Sequence, residues 1–340
     1  MSSQTQSHKA MHLALPAILV CFLCFGLRLP ADEAALLLPG GRVDLVKTDQ
    51  FVKIEGGKYE IGNALVDPKG NYYHPEEKQR FVEIQDFWIA KLPITAEQFC
   101  LFLNSPFCAG KNQRQLCNFD GFPQSAVPRN LSTVRRNNGK FEPWEGNSQA
   151  PANSVSWLGA AEYCRWLMTL DDKNIYRLPS EAEWEVAARG KTGRSWPWGD
   201  APPTKNHGAI FDLALNQEKR GLIKVGSYPQ NATPDGILDL CGTGIANWCA
   251  GVFMKDASTE QVCSVEMNIA DLDSLRPIRG IPHRNNAKGL VLTPFITKGQ
   301  FRAPPWTRSF GHPIKDIDEW AGLGFRLVVV PKQVAGTGKE

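Results

Sequence analysis

Residues 177–190 read Arg-Leu-Pro-Ser-Glu-Ala-Glu-Trp-Glu-Val-Ala-Ala-Arg-Gly, and Trp196-Pro197-Trp198-Gly199-Asp200 follows closely. Ser180 is placed to cap a helix, because its hydroxyl can accept one of the backbone N–H groups that the first turn leaves unpaired. Glu183 stands three residues on, where its carboxylate can reach back to the N–H of the cap residue. Trp184, Ala187 and Ala188 then share one face, and Gly190 is suited to end the helix. The spacing therefore predicts a capped amphipathic helix entering an aromatic turn.

Two further starts follow the same logic. Thr95 and Gln98 form a second capping box, with Phe99, Phe102 and Leu103 at helical spacing behind it. Ser156 caps a third helix, on which Trp157, Ala160, Ala161, Cys164 and Met168 share a face. Val82 and Ile84 alternate with Glu83 and Gln85, and Phe325, Leu327 and Val329 alternate around Arg326 and Val328, as half-buried strands do. Trp157, Trp166, Trp184 and Trp198 are expected in the core, where a large ring gains most from burial. The 30 glycines and 24 prolines require frequent turns. The fold class is therefore α+β: a single loop-rich domain over residues 50–331, with few short helices packed on small antiparallel sheets. A linker at 32–49 precedes it and a tail at 332–340 follows.

Lys9, an apolar run over 11–27, Arg28 and Ala31 read as a signal peptide over residues 1–31, or as an N-terminal membrane anchor if the run is not cleaved. The chain is accordingly expected to be exported, periplasmic or secreted. Cleavage after Ala31 removes two basic residues and no acid, so the 38 basic and 35 acidic side chains become 36 and 35. Such a balance argues against nucleic acid as a partner, and membrane contact is expected only through an uncleaved N-terminal segment. Arg135 and Arg136 read as a solvated loop. Seven cysteines lie beyond the leader. In an exported protein some should pair, and Cys108 with Cys117, then Cys241 with Cys249, are the expected disulfides.

The order of these blocks resembles the formylglycine-generating enzyme family, or sulfatase-modifying-factor domain. FVKIEGGKYEIG (51–62) resembles its opening strand pair, with Gly56 and Gly57 at the turn. The stretch 74–104, NSVSWLGAAEYCRWL (153–167), VGSYPQNATPDGILDLCG (225–242) and GLGFRLVVV (322–330) resemble the blocks that follow. The resemblance implies a C-type-lectin-like fold. It also implies a copper-binding pair of cysteines near the C-terminus that oxidises a substrate cysteine with dioxygen, and soft thiolates suit Cu(I). Residues 264–340 contain no cysteine, so this member lacks the pair and copper chemistry of that kind is not expected. The family's calcium element is altered as well. Matched on Trp248, Asn247 takes the place of its Glu ligand, and Asn206 resembles a ligand of a second calcium site. Both sites read as degraded, because calcium affinity depends on the number of charged ligands.

What remains in the region of the family's peptide groove is Arg279, His283, Arg284, Asn285, Trp306, Arg308, His312, Asp316 and Glu319. Trp306 supplies a groove wall or belongs to the core. Arg279, Arg284 and Arg308 hold ligand carboxylates or hydroxyls, or else are solvated or form internal ion pairs. His283, His312 and Asp316 form a two-His-one-carboxylate iron site or are solvated loop residues. Two functions follow. In the first, the chain is a non-catalytic binding or accessory module, a pseudoenzyme whose groove holds a peptide, a protein or a small molecule. In the second it is an oxidoreductase working without thiolates, with iron at the two-His-one-carboxylate site if that site forms, similar to the family branch that matures a periplasmic siderophore.

Overall fold

The computed structural model describes residues 49–62, 79–119, 132–208, 223–243, 245–254, 256–280, 309–311, 313–314 and 322–332. Residues 1–31, where a leader is expected, and nearly all of 32–49 and 332–340 lie outside these residues. In chain order the described strands are β1 (Phe51–Ile54), β2 (Gly57–Ile61), β3 (Arg80–Ile84), β4 (Phe87–Ala90), β5 (Val134–Asn137), β6 (Lys140–Pro143), β7 (Asn174–Arg177), β8 (Ala246–Trp248), β9 (Arg276–Arg279), β10 (Ser309–Gly311), β11 (Leu323–Gly324) and β12 (Val328–Pro331). The α-helices are α1 (Ala96–Leu103), α2 (Trp157–Leu170), α3 (Glu181–Arg189) and α4 (Thr259–Val262). This is the α+β class expected, with short helices and small sheets.

One sheet runs β1-β4-β12-β7, with every neighbouring pair antiparallel. Both of its faces are buried, because side chains alternate between them. Val52, Ile54, Phe87, Ile89 and Val328 point into one apolar cluster, where Trp184, Val186, Ala187 and Ala188 of α3 cover them. Phe51, Ala90, Tyr176 and Val329 point into the other, which is closed by α1 and α2. There Phe99, Phe102, Tyr163, Trp166 and Phe325 pack ring on ring, with centroids 5.3–6.0 Å apart. The second sheet, β10-β9-β8-β11, is antiparallel except for the short parallel pair β8–β11.

The three predicted helix starts are formed. Thr95 and Ser180 make complete capping boxes, Ser156 accepts the N–H of Gly159, and Gly190 ends α3 with φ +62°. Three expectations are corrected. The Gly56–Gly57 turn joins two strands that do not pair with each other: β1 pairs with β4, and β2 with β3. Gly56 lies so close to β3 that an added Cβ would stand 2.9 Å from the Ile84 carbonyl oxygen. Arg135 and Arg136 are not in a loop but in β5, which turns tightly into β6 at Asn138 and Gly139, with φ of +48° and +83°. Asn-Gly with both residues left-handed is the preferred two-residue hairpin turn. Trp157, Trp166 and Trp184 are core, whereas Trp198 is half-buried, lying between Trp196 and the ring of His207.

Candidate binding surface at the β9–β10 connection

β9 and β10 pair with Ile278 opposite Ser309 and Arg276 opposite Gly311. Residues 281–308 connect these two strands in sequence and lie outside the described residues. A connection of this length between two paired strands is where binding groups are usually carried. His283, Arg284, Trp306 and Arg308 fall on this connection and His312 directly after β10; all five lie outside the described residues. The structure shows how the connection is anchored.

Its root is held by charge. Arg279, at the end of β9, is 1% exposed. Its Nη1 donates to Glu185 Oε2 at 3.0 Å, and its Nε lies 3.5 Å from Glu181 Oε2. Glu181 and Glu185 are one turn apart on α3 and buried, so one helix face presents two carboxylates to one guanidinium. Glu185 Oε1 also accepts from Arg189 at 2.8 Å and from the Gly62 N–H at 2.7 Å. On the other side of α3, Arg177 holds Glu183 through two bonds of 2.6 and 2.7 Å, and the same carboxylate accepts the cap N–H of Ser180. Of the roles left open for Arg279, the buried contacts to Glu181 and Glu185 match the internal ion pair, not the ligand-holding or the solvated one. The next residue, Gly280, has φ +83°, and a Cβ there would meet the Leu240 carbonyl oxygen at 2.6 Å and the Trp184 ring at 3.0 Å. Only glycine fits where the connection departs.

Arg276, at the start of β9, is also 1% exposed. It stacks over Trp157 with its guanidinium carbon 4.0 Å from the ring centroid, and it donates to the carbonyls of Gly251, Asn268 and Asp271. It thereby fastens Gly251 and the stretch 268–271 to the sheet.

The two asparagines matched to calcium ligands are in different surroundings. Asn206 is exposed, in a single 3₁₀ turn over Lys205–His207. Asn247 is fully buried on β8, and its Oδ1 accepts from Arg326 Nε at 2.9 Å. A calcium ion bound to that oxygen at about 2.4 Å would stand within about 5 Å of a guanidinium. The repulsion is on the order of 6 kcal/mol at an effective dielectric constant of about 20, so the donor set at Asn247 does not fit a divalent cation. Among the described residues no group of three His, Cys, Asp or Glu side chains is arranged to hold a metal ion.

Cys108 and Cys241 carry buried thiols, so neither the Cys108–Cys117 nor the Cys241–Cys249 disulfide is formed in the structure. These cysteines pack as small apolar side chains. Burial pushes the thiols of Cys100, Cys108 and Cys241 up to about 12, and that of half-buried Cys263 up to about 11. A thiol so shifted is a poor source of the thiolate that redox and metal chemistry need.

Comparison with known proteins identifies the fold. The model of the sulfatase-modifying factor enzyme 1-like domain matches residues 41–291, more than half of the chain. The chain belongs to the sulfatase-modifying factor family. A relative within reach of this family member is the serine/threonine-protein kinase Pkn1 of Chlamydia trachomatis, 28% identical over 208 residues, which are 61% of this chain and 28% of the kinase. Another is the formylglycine-generating enzyme of Streptomyces coelicolor, 28% identical over 187 residues, covering 50% of this chain and 56% of the enzyme. The chain thus spans little more than a quarter of the first relative's length and about half of the second's. Among solved structures, PvdO from Pseudomonas aeruginosa is similar in fold, with a TM-score of 0.54 at 19% identity, over 82% of this chain and 93% of that one.

Sequence reasoning missed the buried polar residues that hold this family member together. Arg326 and Asn231 carry no local signal. The Nδ2 group of Asn231 joins the carbonyl of His207 to that of Cys241, so it ties the 205–207 turn to the segment before β8. Glu181 and Glu185 do carry one, since their four-residue spacing on a capped helix marks a shared face, but only tertiary contact shows that the face is inside.

Proposed function

We propose that this member of the sulfatase-modifying factor family is a non-catalytic binding or accessory module, exported through its leader, that holds a peptide, protein or small-molecule ligand on the 281–312 connection. The observation that carries this reading is the chemistry of its sulfur. No cysteine occurs in residues 264–340, and the thiols of Cys100, Cys108 and Cys241 are buried and shifted up to about 12. Among the described residues, these three buried thiols offer copper no ready thiolate. The recurrence of such a domain within a larger protein named as a kinase supports a modular, accessory role. His283, Arg284, Trp306, Arg308 and His312 are the groups proposed to contact the ligand.

The test is to incubate the purified chain with a sulfatase-type cysteine peptide, copper and dioxygen, and to read the peptide by mass spectrometry alongside the metal content of the protein. Unchanged peptide and no stoichiometric iron or copper are expected. Conversion to formylglycine would overturn the reading, and so would iron near one per chain, which would favour the thiolate-independent oxidoreductase.

A further inference from the structure

Arg326 is fully buried, yet its partners are neutral oxygens. Nε donates to Asn247 Oδ1 at 2.9 Å, Nη1 to the carbonyls of Ala90 at 3.0 Å and Lys91 at 3.4 Å, and Nη2 to those of Leu238 at 2.9 Å and Asp239 at 3.0 Å. A guanidinium has five N–H donors, and each has an acceptor here. The five oxygens come from three remote pieces of chain: the end of β4, the loop at 238–239, and β8. A positive charge surrounded by amide and backbone oxygens from separate segments is also how a hard divalent ion organises irregular chain. A carboxyl group is close by, and burial raises its pKa. The carboxylate of Asp239 is buried, accepts the Gly226 N–H at 2.7 Å, and acts on Arg326 electrostatically. Asp239 itself has φ +57°, a left-handed conformation that its carbonyl contact with Arg326 helps to hold.

We infer that Arg326 is the resident cation of this face of the domain, gathering the oxygens of residues 90–91, 238–239 and 247 in place of calcium, so that the stability of the 226–248 segment does not depend on a divalent ion. The arginine meets the requirement in two ways that a calcium ion does not. It is covalently part of the chain, so it needs no ion in the medium, and it delivers directed N–H bonds of 2.9–3.4 Å to four backbone carbonyls. Asn247 suits this arrangement better than a bound ion, because its oxygen is already committed to Nε.

The experiment is thermal unfolding of the full chain in 5 mM calcium chloride and in 5 mM EGTA, for the wild type, Asn247→Asp and Arg326→Lys. Asn247→Asp keeps an acceptor for Nε and gives up only Nδ2, which has no partner among the described residues. With Arg326 as the cation, calcium shifts wild type and Asn247→Asp equally, since the new carboxylate is neutralised internally. Arg326→Lys, with three donors in place of five, melts several degrees lower or fails to fold, and calcium does not restore it. A calcium-induced rise more than about 2 °C larger in Asn247→Asp than in the wild type overturns the inference, as does an Arg326→Lys protein that melts like the wild type.

Discussion

Replacing Arg279 by Met asks whether the root of the β9–β10 connection is held by charge or presented to a ligand. Met keeps the length and apolar stem of the side chain and removes the guanidinium. Glu181 and Glu185 are 2% and 1% exposed, so the change takes a cation away from two desolvated carboxylates. Breaking a buried pair by removing one partner costs about 3–5 kcal/mol. Here Glu185 keeps Arg189 at 2.8 Å and the Gly62 N–H at 2.7 Å, which places the expected loss at the lower end, about 3 kcal/mol. At about 2–4 °C per kcal/mol for a domain of this class, the melting temperature should fall by roughly 6–12 °C. The assay is urea unfolding followed by tryptophan fluorescence, with thermal melts beside it. Adding Glu185→Gln to the Met variant should recover part of the loss, because the carboxylate left without its cation is then neutral. An Arg279→Met protein that unfolds within about 0.5 kcal/mol of the wild type, the range of an inert surface change, would refute the ion-pair root and return Arg279 to the ligand-holding set.

Ser180→Ala should cost about 1–2 kcal/mol in urea unfolding, since Ser180 Oγ accepts the Glu183 N–H at 3.1 Å inside the core; an unchanged midpoint would show that the cap is not what starts α3. Stability should also fall as the pH rises above about 9. The unfolded chain releases its thiol protons near 9, whereas Cys100, Cys108 and Cys241 in the fold hold theirs up to about 12, so the unfolded state binds fewer protons and gains on the native state across that window. The contribution is fully present below about pH 9 and is lost towards about pH 12. Alkylation of the native protein that is complete at pH 8, with all seven cysteines from Cys100 to Cys263 modified, would contradict this.

Much of the local architecture is legible because its causes are local. The caps at Thr95, Ser156 and Ser180 and the stop at Gly190 each depend on groups within four residues of one another. The Asn138–Gly139 turn is of the same kind, and reading Arg135 and Arg136 as a loop overlooked a signal that was present. Sheet membership is different. Nothing near Gly56 says that β1 turns away from β2 to pair with β4, because that choice is made by residues more than thirty positions away.

The sequence by itself determined the three capped helices, the α+β class and the lack of a cysteine pair in the C-terminal segment, since each follows from residue identity and short-range spacing. Only the tertiary structure decided where the charges face. Alternation around Arg326 reads as an outward position, yet the chain there runs between two covered faces, and its guanidinium is consumed by oxygens as far as 236 residues away. Arg279 likewise finds its carboxylate 94 residues earlier. Periodicity reports how many faces of a strand are apolar; whether a polar side chain meets water or a buried partner depends on which distant segments the fold brings against it.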